Sequence, residues 1–236
     1  MSGLIPATGI HIVDDGWWLA LTGVPDPSYN LALIHGSDVR KNTSDVIERI
    51  LAEKHRSVIM LAGLGLGAGT VLSDAGWVCV GSSSLRMLPN SPSELDPQVK
   101  VLDEEELGAA RGLVGEIFNV DPASAALVYT ASSSEGHSRR SVIGLVEDGA
   151  LQAAAMLSFG HPISTGWAGG TRPTSQRRGH GMRVLQQASA IAFAEVGEGS
   201  LCFLASDASN RLYDVAGAEI VEYWQMWSRP RWLLGS

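Results

Sequence analysis

Trp167-Ala168-Gly169-Gly170-Thr171-Arg172-Pro173-Thr174-Ser175-Gln176-Arg177-Arg178-Gly179-His180-Gly181-Met182 is the stretch on which the fold of this chain turns. A strand ends near Thr171, Pro173 turns the chain, and Gly179 and Gly181 bracket the start of a helix. Glycine permits a tight backbone path that exposes successive N–H groups. The first turn of a helix has N–H donors without intrahelical acceptors and carries the positive end of the helix dipole. With Arg177 and Arg178 beside them, these donors make an anion site that suits a pyrophosphate better than a single carboxylate. The same residues also read as an ordinary glycine-rich connection with two solvated arginines, and local sequence alone does not choose between the two.

Downstream of this stretch the pattern predicts a helix over 181–195, a strand at 201–205, a short helix holding Leu212-Tyr213 and a last strand over 220–227. Upstream, Val99-Lys100-Val101-Leu102 reads as a strand, and Asp103 caps a helix whose early carboxylates Glu104, Glu105 and Glu106 suit the positive end of a helix dipole. A second helix follows Asp121-Pro122. Residues 132–138 read as a polar loop, 141–145 and 152–159 as a hairpin around Glu147-Asp148-Gly149, and 166–171 as a strand. Arg139-Arg140 reads as a solvated loop pair.

The first half opens with strands at 17–23 and 31–34 around Pro25-Asp26-Pro27-Ser28. Asn42-Thr43-Ser44-Asp45 offers N-caps for a helix over 46–51, and a buried strand follows at 58–61. A glycine-rich turn, a short helix to Ala75-Gly76 and a strand at 77–80 complete it, and Pro89-Asn90-Ser91-Pro92-Ser93 reads as a linker. The order of elements repeats. Val58-Ile59-Met60-Leu61-Ala62, a helix and Asp74-Ala75-Gly76-Trp77 match Leu201-Cys202-Phe203-Leu204-Ala205, a helix and Val215-Ala216-Gly217-Ala218, which indicates a duplicated supersecondary unit. Mixed strands and helices with strand–helix–strand crossovers give an α+β (α/β mixed sheet) class.

Gln176-Arg177-Arg178-Gly179-His180-Gly181 resembles the Q/R-x-x-G-x-G/A acyl-CoA signature of the GCN5-related N-acetyltransferases, and Thr171-Arg172-Pro173 is similar to the T-x-P that introduces it there. Leu204-Ala205-Ser206, then Leu212-Tyr213 and Gly217, resembles that superfamily's L-x-A-S … L-Y-x-x-x-G pattern, with Ala218 where an aromatic usually follows. The likeness covers residues 98–229 well and the first 90 only weakly. It implies a catalytic domain over 98–229 and a degenerate half over 1–90, a tandem arrangement with a partial N-terminal repeat.

The resemblance further implies a central sheet splayed between the strands at 166–171 and 201–205. Acetyl-CoA is the implied co-substrate. Its pantetheine arm would bond to edge groups of Gly169, Gly170 and Thr171, and its pyrophosphate would sit at Gln176, Arg177, Arg178, Gly179, His180, Gly181 and Met182. An amine would attack the thioester directly in a ternary complex. A strand N–H near Gly170 would stabilise the oxyanion, and Tyr213 would protonate the leaving thiolate. Tyr213 also reads as a helix tyrosine packed under the last strand. His161, Glu147 and Asp207 are the candidates for the base, none of them singled out. In the first half Leu72 stands where Tyr213 does, and His35 to Asn42 holds no paired glycines at a helix start.

Composition narrows the alternatives. A formal net charge of −8 argues against a phosphate backbone as main partner and modestly favours cationic acceptors. Cys79 and Cys202 lie in apolar runs without a CxxC pairing, which argues against a metal site, a disulfide framework or thiol catalysis and suits a reducing compartment. With no basic stretch leading into an apolar segment near the N-terminus, the chain reads as cytoplasmic, without a membrane or nucleic-acid partner. Gly63-Leu64-Gly65-Leu66-Gly67-Ala68 matches a dinucleotide fingerprint, but too few residues separate it from Trp77 for a crossover helix, and no acidic residue stands where a ribose partner would. Trp17-Trp18 reads as core cover, and Trp224 as core or as the wall of an acceptor pocket. The expected function is acetyl transfer to the amine of a small molecule or peptide, and a homodimer is compatible with it. The alternative is a non-catalytic acyl-CoA-binding or interaction module on the same fold.

Overall fold

The computed structural model describes residues 9–128 and 139–233, so the polar loop expected at 132–138 lies outside the described residues. The first half comprises β1 (Ile10–Asp14), β2 (Trp17–Leu21), β3 (Asn30–Ile34), α1 (Val39–Glu53), β4 (Val58–Leu61), α2 (Gly69–Asp74) and β5 (Val78–Pro89). The second comprises β6 (Val99–Val101), α3 (Leu107–Phe118), α4 (Pro122–Val128), β7 (Arg139–Glu147), β8 (Ala150–Phe159), β9 (Ile163–Thr171), α5 (His180–Val196), β10 (Ser200–Ala205), α6 (Asp207–Val215), β11 (Glu219–Ser228) and α7 (Pro230–Leu233). The stretches from β1 to β5 and from β7 to β11 both run strand, strand, strand, helix, strand, short helix, strand, and the closing strand, short helix and strand of each is the unit whose repetition the sequence indicates.

The chain forms two compact units. Among the described residues one is built from 86–220, the other from 9–85 together with 221–233. In the second of these, β1, β2 and β3 pair antiparallel in turn, β3 and β4 pair parallel, and β11 adds antiparallel to β4 with Gln225 opposite Leu61 and Trp227 opposite Ile59. The last strand of the second half therefore completes the unit built by the first. Its core joins Trp17, Leu19 and Ile34 of the sheet to Val46 and Ile50 of α1 and to Leu72 of α2.

The 86–220 unit orders its strands β10-β9-β8-β7-β6. Successive strand residues face opposite sides of a sheet. Ile143, Leu145, Ala153 and Leu157 thus share the face that packs against Val184, Leu185, Ala188 and Ala192, an i, i+4 stripe on α5. Asp103 and Glu106 exchange backbone-to-carboxylate bonds of 3.0 and 3.3 Å, a capping box that sets the start of the α3 region.

Several local expectations shift. Asp38, not Asn42 to Asp45, caps α1, its side chain accepting from Lys41 N–H at 3.2 Å. Asn42 and Thr43 are buried inside the helix, where the Thr43 hydroxyl bonds back to Val39 O. The expected linker is tied down instead: Asn90 N–H donates to Gly199 O at 2.9 Å and Ser91 N–H to Ser189 Oγ at 3.0 Å. Arg140 is not a solvated loop residue; it lies in β7 opposite Ser158 and is buried. Among the described residues no helix is long and apolar enough to cross a membrane.

The glycines of the dinucleotide-like run form a 3-10 turn rather than a phosphate loop. A Cβ on Gly65 would stand 2.1 Å from Ile34 O, so this glycine exists for close backbone packing. Gly65→Ala is expected to destabilise the protein by about 3 kcal/mol, read from urea unfolding, because backbone rather than a flexible side chain must yield.

Candidate functional site

β9 and β10 start paired and then part, while β9 stays paired with β8 as far as Thr171. They pair parallel only at Ile163 with Ser200, Ser164 with Leu201 and Thr165 with Cys202. β9 nevertheless runs on to Thr171 and β10 to Ala205. The departure coincides with a bulge. Met156 of β8 faces Trp167 and Ala154 faces Gly170, so β9 carries one extra residue, and Ala168 takes a left-handed φ of 48°. Such bulges bend the strand and free backbone groups from the ladder.

A cavity of about 260 Å³ fills the opening. Trp167, Gly170, Thr171, Phe203, Leu204 and Tyr213 are among its lining residues, and every lining residue is uncharged. Tyr213 stacks on Phe203 with ring centroids 4.0 Å apart. Burial pushes the Tyr213 hydroxyl above its ordinary value, opposed by a hydrogen bond with Ser209 and by the charge of Arg86.

Beyond Thr171 the chain turns through Pro173–Ser175 and enters α5 by left-handed residues at Arg177 (φ 62°) and Gly179 (φ 86°). No side chain caps the helix, and its first intrahelical bond runs from Arg183 N–H to Gly179 O at 3.1 Å. Among the described residues nothing accepts from the N–H groups of Gly179, His180, Gly181 and Met182. A Cβ on Gly179 would meet nothing within 4 Å, so the space over the turn is open. An uncapped helix N-terminus of this kind is a ready anion site.

No family model matches the sequence, and no curated protein matches it. Solved structures do. A GCN5-related N-acetyltransferase from Kribbella flavida superposes with TM-score 0.70 at 19% identity, over 97% of this chain and 92% of that one. The chain has the GCN5-related N-acetyltransferase fold. A GCN5-related N-acetyltransferase from Sphaerobacter thermophilus gives TM-score 0.59 at 12% identity, over 90% of this chain and 76% of that one. A tandem GNAT protein from the clavulanic acid biosynthesis pathway gives 0.55 at 14%, over 95% and 84%. At these identities the likeness is one of architecture, including the tandem arrangement.

Of the residues expected from the sequence, Gly169, Gly170, Thr171, Gly181 and Tyr213 line the cavity of this GNAT fold. Gln176, Arg177, Arg178 and Gly179 form the exposed turn that leads into α5, with Gln176 Nε2 donating to Thr171 O at 3.3 Å. Met182 is half-buried in the first helical turn. His180 contributes its backbone only: its ring is buried, with Nε2 3.1 Å from Glu147 Oε2. That contact also engages Glu147, one of the three candidate bases, which is further held by Arg183 Nη1 at 2.7 Å. His161 and Asp207 are exposed, and neither is among the cavity-lining residues. Phe203, Ser209 and Phe118 were not anticipated. Ser209, four residues before Tyr213 on α6, was legible as an i, i+4 partner.

Arg183 anchors the first turn of α5. It donates to Asp96 at 2.7 and 3.0 Å, to Gln98 Oε1 at 2.7 Å and to Glu147. The guanidinium, with the Gln98 N–H, holds the Asp96 carboxyl below its ordinary 3.8. A carboxylate with a depressed folded pKa stabilises the protein above its unfolded value, and that contribution vanishes as pH falls through the folded value. Arg183→Gln should therefore be less stable than wild type by about 1 kcal/mol at neutral pH. The difference should shrink below pH 3.8 in melts across the acid range.

Proposed function

We propose that the chain is an acetyl-CoA-dependent N-acetyltransferase that acetylates the amine of a small molecule or peptide by direct attack in a ternary complex. The observation that carries this reading is the parting of β9 from β10 beside an uncapped helix N-terminus, which together offer a slot and an anion cradle. The residues fit such a co-substrate. The N–H groups of Gly179 to Met182, with Arg177 and Arg178 beside them, hold the pyrophosphate. The edge of β9 at Gly169, Gly170 and Thr171, free of β10, bonds the pantetheine amides. Bound there, the coenzyme presents a thioester carbonyl to the acceptor.

A strand N–H at the bulge near Gly170 stabilises the developing oxyanion. The amine nitrogen forms a bond to the carbonyl carbon, the C–S bond breaks, and the Tyr213 hydroxyl gives its proton to the departing sulfur. Burial keeps that hydroxyl protonated at neutral pH, as an acid requires. The cavity lining is uncharged, so the proton shed by the amine leaves through water, and water reprotonates Tyr213.

The first repeat is read as a degenerate copy without a second site. Its β3–β4 ladder stays paired from Leu31–Val58 to Ile34–Leu61, its helix α1 is capped by Asp38, and the position of Tyr213 is taken by buried Leu72.

Thiol release from acetyl-CoA against a library of amines tests the function, with coenzyme A binding measured in parallel. Tyr213→Phe should lower kcat about a hundredfold while coenzyme A affinity stays within about twofold. Binding without thiol release across the whole library would favour a non-catalytic acyl-CoA-binding module. Gly179→Glu, which sets a carboxylate in the open cradle, should weaken coenzyme A binding at least about tenfold. Unchanged binding by that variant would remove the cradle from the site.

A further inference from the structure

β5 ends inside the unit that holds the cavity, and it brings a cation there. Arg86 is 4% exposed. Its Nη1 donates to Asp214 Oδ1 at 2.6 Å and to Ala218 O at 3.4 Å, and its Nη2 donates to Asn210 Oδ1 at 3.2 Å. Asn210 and Asp214 stand four residues apart on α6, hence on one face of that helix. Ala218 lies just past the turn that ends it. A single guanidinium thus ties down both the face and the exit of the helix that carries Tyr213. Packing alone does not call for a charge in this place, because an apolar side chain of similar volume often serves stability as well as a buried ion pair does.

We infer that Arg86 is a positioning residue for Tyr213: by gripping the Asn210–Asp214 face of α6 it fixes the rotation of the helix, and with it the neighbouring face from which the phenol enters the cavity, and it keeps a positive charge near that phenol. The inference rests on the reading of Tyr213 as proton donor. The charge opposes the effect of burial on the phenol and stabilises the phenolate left once the proton has passed to sulfur. Phe203 of β10 stacks on the ring, Ser209 of α6 hydrogen-bonds its hydroxyl, and Arg86 of β5, paired with its counterion Asp214 of α6, is the charge that acts on it. Across the cavity, Val184, Leu185 and Ala188 of α5 are uncharged. Asp214 is 62% exposed on its side chain and therefore screened by solvent, whereas the guanidinium is not.

The test compares wild type with Arg86→Gln, Arg86→Lys and Asp214→Asn, after folding is checked by circular dichroism. The titration of Tyr213 is followed by phenolate absorbance and identified by its loss in Tyr213→Phe. In Arg86→Gln this transition is expected at higher pH, and in Asp214→Asn, where the guanidinium loses its counterion, at lower pH. With a reactive amine in hand, kcat of Arg86→Gln should fall about tenfold to a hundredfold, with the KM for acetyl-CoA within about twofold. Its alkaline limb should move up in pH, and Arg86→Lys should recover part of the loss. A folded Arg86→Gln with the Tyr213 transition unmoved overturns the inference. If that variant does not fold, an unmoved transition in Asp214→Asn does the same. Wild-type protein that transfers no acetyl group defeats the acetyltransferase reading instead, and leaves the titration as an independent measure of the Arg86–Tyr213 interaction.

Discussion

The candidate site depends on one interrupted ladder. Between β9 and β10 the parallel pairing runs from Ile163–Ser200 to Thr165–Cys202 and stops, although both strands continue. Backbone N–H and C=O groups need hydrogen-bond partners, from protein or from water, so two strands that diverge around a cavity present an edge free to bond a ligand. The bulge at Ala168 and the run of small residues from Ala168 to Gly170 keep that edge accessible. A Cβ on Gly169 would meet only Ala155 Cβ at 3.6 Å, whereas one on Gly170 would press on Ile117 at 2.7 Å. The first glycine leaves the edge open, and the second lets α3 approach the sheet at the bulge.

The first half shows what the same order of elements does when that interruption is missing. β3 and β4 correspond in order to β9 and β10, yet they are paired through Ile34–Leu61, the last residue of each. The Asp38 carboxylate already occupies part of the donor set at the start of α1, and a capped N-terminus offers less to an anion than an uncapped one. Leu72, fully buried, has no proton to give. On the proposed reading of the site, three of its features are missing together from the first half.

How much of this was legible in the sequence follows from the range of the interactions. The start of α5, its glycine turn and the strands on either side are fixed by chemistry within a few residues, and they were readable to within a residue or two at the helix. The hairpin around Asp148-Gly149 was readable for the same reason, since both residues take positive φ. The start of α1 was not, because five potential caps stand close together from Asp38 to Asp45, and burial of Asn42 and Thr43 chose among them. β5 continues to Pro89 through Gly81 and three serines that have little intrinsic preference for a strand, so tertiary pairing decides it. The Glu147–His180 contact and the Arg86 cluster join residues 33 and over 120 positions apart, and no local pattern announces either.

That last separation bears on what β5 contributes beyond the first half. β5 belongs to the first half by sequence, but Arg86, Leu88 and Asn90 act in the 86–220 unit: Arg86 on α6, Leu88 against the core that includes Phe203, and Asn90 on the 197–199 turn. β11 belongs to the second half by sequence, but its last residues complete the sheet beside β4. Each compact unit therefore takes part of a strand from the other half of the chain. The exchanged strands carry neither the uncapped helix N-terminus of α5 nor Tyr213. The constraint that retains β5 is then its contribution to the core and to the helix that bears Tyr213.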